Sequence, residues 1–336
     1  MSNKIFITGV AGFLGSHLAD RMIELGYEVV GVDNLVGGFM ENVNPKVKFY
    51  KEDCNNFEKM KEAMAGCDVV FHAACTAHDG FSLFVPHFVT QNTFGITMSV
   101  LSAAVSTKVK KFIYCSSMAR YGKQPNIPYT EDMECMPVTP YGVAKYAAEQ
   151  VIEQICTLNN VNYTILVPHN IIGPRQNYTD PYRNVAAIMI NRMLQNKQPI
   201  IYGDGNQKRS FSFINDCIYC IEKTILQDNL NGEVINIGPD EEFVTINELA
   251  EEIAKNLEFD LKPIYVKDRP YEVKLAKCSS DKARRLLGYE TKTSFEQGIK
   301  EMVDDIKLKG SKEFNYNCPI EIENENTPNT WKDQII

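Results

Sequence analysis

The amino-acid sequence predicts an α/β protein, a doubly wound parallel sheet with a smaller, discontinuous α/β region attached. Three observations carry this. Short runs rich in β-branched and aromatic residues alternate with longer amphipathic ones along the first half of the chain. The short runs are apolar at nearly every position, as strands buried on both faces are. After Pro168 the texture changes to Gly, Pro, Asn and Arg between shorter elements, which suits a loop-rich cap.

"KIFITG" is the first strand, followed by a helix from about Gly12. "EVVGVD" and "VKFYKED" are the second and third strands, with a helix near 56–65 after them. "DVVFHAA" and "KFIYCSS" follow, separated by a helix near 90–106, and a helix over 140–158 leads into "NYTILVP". Such alternation implies parallel strands with helices on both faces. "GEVINIG" reads as a strand returning to the sheet, so the second region is discontinuous. The division is 1–167 with about 210–240 as one domain, about 168–209 with 241–310 as a second, and 311–336 as an irregular tail pinned by the only tryptophan, Trp331.

A chain of 336 residues can bury a sizeable core. The net charge is -8 with Lys and Arg dispersed, which argues against nucleic acid or an anionic membrane as partner. Ten cysteines are scattered, and the one C-x-x-C, Cys217 and Cys220, has no second pair or nearby histidine, so no metal site is expected. The first residues carry too short an apolar run for a signal peptide, and no stretch reaches the roughly 18 apolar residues of a membrane span, so a cytoplasmic location is expected.

"FITGVAGFLGSHLAD" places Gly9, Gly12 and Gly15 between a strand and a helix. A pyrophosphate needs such a turn, where backbone approaches closely and the helix N-terminus offers N–H donors. The glycines alone also fit a plain turn. Asp33 closes the second strand, where a carboxylate accepts both hydroxyls of an adenosine ribose, and no Lys or Arg follows until Lys46. That favours NAD over NADP. Asp53, Ala73, Ala74 and Asn92 join them as residues at the carboxyl ends of successive strands, where open sheets bind ligands.

"VTPYGVAKYAAEQ" carries Tyr141 and Lys145 one helical turn apart, close enough for an ammonium to act on a phenol. Removing hydride from an alcohol carbon requires removal of its hydroxyl proton, and tyrosine with a pKa near ~10 is a poor base unassisted. Lys145 and a positive nicotinamide both favour the phenolate. Ser116 and Ser117, ending the preceding strand, offer a hydroxyl to orient the substrate oxygen.

Together these residues resemble the extended short-chain dehydrogenase/reductases, in the nucleotide-sugar epimerase and dehydratase branch that includes UDP-galactose and UDP-glucuronate 4-epimerases. The resemblance runs in order to about residue 308. It implies a Rossmann-type fold, NAD, Ser117 polarising a sugar hydroxyl, Tyr141 as acid/base, and Lys145 as ribose ligand and pKa modulator. Phe13, Leu14, Asn34, Cys54 and Pro168 join the implied cofactor contacts. Thr76, Asn170, Asn184, Val185, Tyr202, Arg209, Arg269 and Glu272 are the implied substrate contacts, with both arginines suited to phosphate oxygens or, equally, to solvent.

Departures from the family pattern bear on function. Val167-Pro168-His169-Asn170 replaces the usual Arg-Tyr-Phe-Asn, which implies an altered surface beside the nicotinamide. Tyr271 stands where glycine is common, and Ala276 falls where UDP-galactose 4-epimerases often carry a bulky gate. Hexose 4,6-dehydratases usually carry acids just after the catalytic Ser/Thr, and UDP-glucuronate decarboxylases a glutamate there. Met118, Ala119 and Arg120 occupy those positions, and Arg120 reads as outward-pointing. A nucleotide-sugar 4-epimerase is favoured; a net C4 dehydrogenase releasing a 4-keto sugar stays open, as does an NAD-binding sensor or scaffold. The resemblance also implies a homodimer through a four-helix bundle of the helices at 90–106 and 140–158.

Overall fold

The computed structural model describes residues 3–336. Its main sheet contains β1 (Lys4–Thr8), β2 (Glu28–Asp33), β3 (Lys48–Lys51), β4 (Val69–His72), β5 (Lys111–Cys115) and β6 (Asn162–Pro168). The strand Glu233–Ile237 completes it, in the order β3-β2-β1-β4-β5-β6 and then 233–237, all parallel. Ile235 lies opposite Leu166, so the chain does return to the sheet after its excursion. Alternation along β1 sends Phe6 to one apolar cluster and Ile5 and Ile7 to another, and all three are fully buried.

The helices α1 (Phe13–Glu24), α2 (Phe57–Met64), α3 (Pro86–Thr90), α4 (Ile96–Ser106) and α5 (Pro140–Asn159) connect the strands. Met60, Val100 and Ile152 from α2, α4 and α5 cover the Phe6 face, while Leu18 and Met22 of α1 cover the other. The expected single helix near 90–106 is interrupted. Pro86, which can open a helix because its missing N–H needs no partner there, starts α3 early. A wide turn, Gln91–Gly95, then links α3 to α4, with Asn92 at φ -88° and ψ 17°. The Asn92 carbonyl accepts the Thr76 amide at 3.0 Å, which fixes the kink to the segment after β4. α5 begins sharply because Thr139 Oγ1 accepts the Gly142 amide at 3.1 Å and Pro140 follows it; it ends at Asn160 in the left-handed conformation.

Beyond β6 the chain forms α6 (Val185–Leu194), α7 (Ile214–Leu226), α8 (Ile246–Leu257), α9 (Asp281–Leu287) and α10 (Phe295–Lys309). α7 packs on the α1 side of the sheet and buries Cys217 and Cys220 there. Ile190, Leu249, Ile253, Ile299 and Met302 of α6, α8 and α10 form a separate apolar cluster. Lys208–Arg209 pairs with Val244–Thr245 on one side and Leu275–Ala276 on the other, which brings Arg209 beside the 269–273 loop. Residues 311–336 run back over the sheet's carboxyl edge, and Trp331, 3 % exposed, anchors them between Phe81 and Phe84. Among the described residues no helix is long and apolar enough to cross a membrane.

Candidate active site

A cavity of about 870 Å³ opens at the carboxyl ends of β1, β4, β5 and β6, beneath the second region. Strand order reverses between β1 and β4, which is where such a crevice forms. At its floor Gly9 adopts φ +70°, and a Cβ on Gly15 would stand 2.2 Å from the Gly9 carbonyl oxygen. Only glycine lets α1 start so close to β1. Gly12 caps α1 without a side-chain hydrogen bond, and no acid sits in the first turn, so its N-terminal amides face the cavity beside Phe13 and Leu14. That cradle fits a dinucleotide pyrophosphate.

The Asp33 carboxylate accepts the Ala11 amide at 3.0 Å and the Leu35 amide at 2.7 Å, one per oxygen. Each oxygen keeps a lone pair for a ribose hydroxyl. Burial pushes the Asp33 pKa up, and the Leu35, Ala11 and Gly12 amides pull it back. Asn34 donates to Asp53 at 3.2 Å, with Cys54 buried beside them. Thr8 Oγ1 accepts the amides of Ala73 and Ala74 at 3.1 and 3.0 Å. Its own proton therefore goes to His72 Nδ1, 2.7 Å away, and His72 Nε2 donates to Thr97 at 2.9 Å. Burial first, and Lys145 second, lower the His72 pKa to about 3, so this clamp on the backbone after β4 is neutral.

At the other end of the crevice Ser117 accepts the Ala119 amide at 3.2 Å, and its hydroxyl faces the cavity with Tyr141 and Lys145. Lys145 Nζ donates to the Cys115 carbonyl at 2.7 Å and lies 4.8 Å from the Tyr114 ring centre and 5.9 Å from that of Tyr141. Burial opposes its charge, but Cys75, Tyr114, Tyr141 and Cys115 around it hold its pKa above the ordinary value. For Tyr141 burial is the largest influence and pushes the phenol well up; Lys145 and Ser117 pull it down. The sign expected for Lys145 is thus present but outweighed by desolvation. A positive nicotinamide beside the ring would add to the downward pull. The backbone amide of Tyr141 is held by Ser82 Oγ at 3.2 Å.

The second arm of the cavity runs towards Tyr202. Arg209 Nη2 donates to Glu272 at 2.9 Å, and Arg269 pairs with the other carboxylate oxygen at 2.6 Å while stacking 4.9 Å above the Tyr202 ring. Burial alone would raise the Glu272 pKa, but Arg269 and then Arg209 bring it below the usual range. Both arginines line the cavity rather than the outer surface. Asn184 caps α6 by accepting the Ala186 amide at 3.0 Å, and Asn170, at φ +44°, donates to the Ser210 carbonyl at 3.0 Å. Thr76, Pro168 and Val185 also border this arm. Every residue expected to act in catalysis or to contact cofactor or substrate therefore borders one cavity.

One expectation is placed more narrowly and one is corrected. Of the 167–170 stretch expected to alter the surface beside the nicotinamide, Pro168 and Asn170 border the cavity, while His169 is 1 % exposed and turned away, its Nε2 3.2 Å from the Pro239 carbonyl. Burial drops the His169 pKa to about 4. Arg120 does not point outward: it is buried and paired with Glu149 at 3.0 Å, sandwiched between the rings of Tyr121 and Tyr146. Residues missed by the sequence reading include His78, 2.9 Å from Asp180, and the tail residues Asn315, Asn317, Cys318, Trp331 and Ile336, all on the cavity wall. The isolated aromatics Phe314, Tyr316 and Trp331 were the only signal for the tail.

A dinucleotide cradle, a Ser/Tyr/Lys group and an arginine-lined second arm on one doubly wound sheet define an NAD-dependent enzyme of nucleotide sugars. Residues 5–238 match the NAD dependent epimerase/dehydratase family, and the chain belongs to it. A putative UDP-glucose 4-epimerase of Methanocaldococcus jannaschii is 34 % identical over 308 residues, 90 % of this chain and 98 % of that protein. A UDP-N-acetyl-alpha-D-glucosaminuronate decarboxylase of Bacillus cytotoxicus is 31 % identical over 323 residues, 90 % of this chain and 97 % of its own length. The crystal structure of UDP-glucuronic acid 4-epimerase from Bacillus cereus, in complex with UDP-glucuronic acid and NAD, superposes with a TM-score of 0.83 at 30 % identity, covering 91 % of this chain and 99 % of its own.

Proposed function

We propose that the protein is a cytoplasmic nucleotide-sugar 4-epimerase. The observation that supports this is the stretch after Ser117. Met118 and Ala119 border the cavity, Arg120 is buried, and the Glu149 that pairs with it does not reach the cavity. No carboxylate stands in that stretch to eliminate water from a keto sugar. The relatives include 4-epimerases from M. jannaschii and B. cereus alongside a decarboxylase, so the family alone leaves the reaction open.

Bound NAD would take hydride from the sugar C4 and return it. Ser117 Oγ orients the C4 oxygen, Tyr141 exchanges its proton, and Lys145 keeps the charge that favours the phenolate. Arg209 and Arg269 hold the diphosphate, and their shared Glu272 sets their spacing. The enzyme is tested with UDP-, GDP- and dTDP-sugars, following NADH absorbance and identifying products by NMR. A C4 epimer with no net NADH is expected; a keto sugar with stoichiometric NADH would instead establish a C4 dehydrogenase. Tyr141→Phe should lower turnover at least about a hundredfold while leaving NAD binding intact, and unchanged turnover would reject the mechanism.

A further inference from the structure

We propose that the C-terminal strap, residues 311–336, is part of the substrate site: it walls the sugar end of the cavity, and Asn315 and Asn317 hydrogen-bond the polar substituents of a neutral nucleotide-activated sugar. The inference rests on reading the cavity as a nucleotide-sugar site, and it names what the family pattern leaves blank. The family match ends at residue 238, so the strap lies outside it.

The strap is placed by specific contacts. The Asn315 amide donates to the Thr179 carbonyl at 2.8 Å, and the Glu321 and Ile322 amides donate to the Phe84 carbonyl at 2.9 and 3.0 Å. The Glu321 carboxylate accepts the His87 and Phe88 amides at 2.9 and 2.8 Å. Trp331 meets Phe81 edge-on at 5.1 Å and Tyr202 at 6.1 Å, while Phe81 stacks on Tyr182 at 3.7 Å. Phe81 and Trp331 belong to the same apolar cluster as Tyr141, and Tyr202 lies beneath Arg269. Trp331 thus spans the gap between the proton-transfer end and the diphosphate end, which is where the sugar of a bound nucleotide sugar must lie.

The chemistry of the wall selects its occupant. Asn315, Asn317, Cys318, Trp331 and Ile336 line the cavity, and none has a charged side chain. Neither asparagine side chain makes a hydrogen bond within the described residues, so each offers a free donor pair and a free carbonyl. Of the cations bordering the cavity, Arg209 and Arg269 are engaged with Glu272 and Lys145 with the Cys115 carbonyl, while the Arg183 guanidinium lies beside Gly37 on the cofactor side. A uronate carboxylate against this wall would meet amide donors but no counter-charge and would leave both amide carbonyls unused, whereas hydroxyl or N-acyl groups match the donors and the carbonyls together.

Calorimetric binding of UDP, UDP-N-acetylglucosamine and UDP-glucuronate to the full chain tests the proposal, with a variant carrying Asn315→Ala and Asn317→Ala. Both asparagines are exposed, so the fold should survive. The full chain is expected to bind UDP-N-acetylglucosamine more tightly than UDP or UDP-glucuronate. In the variant the preference for UDP-N-acetylglucosamine over UDP should fall roughly tenfold, with UDP affinity unchanged. An unchanged preference, an equal loss for both ligands, tighter binding of UDP-glucuronate, or no sugar preference in the full chain would overturn the proposal. Epimer formation is scored separately: strap-dependent discrimination without a C4 epimer removes the 4-epimerase reading and leaves the strap in the site.

Discussion

Replacing Arg120 with leucine separates two accounts of the buried pair behind the catalytic stretch. Arg120 and Glu149 are 6 % and 4 % exposed as side chains, and Ser116 Oγ donates to the second Glu149 oxygen. Burial pushes the Glu149 pKa from 4.5 up to about 7, with Arg120, Ser116 and Lys145 each pulling it down. An acid with a raised pKa binds its proton more tightly folded than unfolded. Its contribution is therefore fully present below pH 4.5 and is lost as pH rises to about 7. The slope is about 1.4 kcal/mol per pH unit, so the native protein loses roughly 3 kcal/mol across that window from this group.

Without Arg120 the folded pKa moves higher still, and the loss continues above pH 7. Urea unfolding at pH 5, 7 and 8.5 should show the variant less stable throughout from lost packing, with the deficit growing by roughly 1.4 kcal/mol per pH unit above 7 until the new pKa is reached. Adding Glu149→Gln should abolish the growth while leaving the packing loss. A deficit equal at all three pH values would show that Arg120 acts only as a filler between Tyr121 and Tyr146, and the electrostatic reasoning would fail.

Two further outcomes follow from local geometry. Gly15→Ala places a Cβ 2.2 Å from the Gly9 carbonyl oxygen, backbone against backbone, so α1 must shift; NAD affinity should fall at least about tenfold and stability by about 1–3 kcal/mol, read by NAD titration and urea melts. The proposed homodimer would pair α4 and α5 with their copies; on α5 Val143 and Leu158 are 50 % and 76 % exposed with Ala147 and Val151 between them on the same face. Light scattering at micromolar concentration should give a dimer, and Ala147→Arg a monomer; a monomeric native chain would dismiss that interface.

The parts of the site legible in the sequence are those whose chemistry is carried by local backbone. A strand, a glycine-spaced turn and a helix fix the cradle within a dozen residues, and one helical turn fixes Tyr141 against Lys145. Long-range pairing was not legible. Arg120 looked like a strand-end cation because nothing nearby in sequence neutralises it; its partner lies on α5, one turn past Lys145. His169 lies off the cavity for a simpler reason: it follows Pro168 at the end of β6, and adjacent residues of an extended chain point to opposite sides. Pro168 faces the cavity, so His169 had to face away. The strap shows the same limit at larger scale. Residues 311–336 carry no periodicity, and only packing reveals that Trp331 touches rings from both ends of the substrate arm. A family shares the residues that run the reaction, so those are readable by pattern; what chooses among substrates is free to come from a segment the pattern does not include, and here the strap, outside the family match, lines the same cavity as Tyr141 and Arg269.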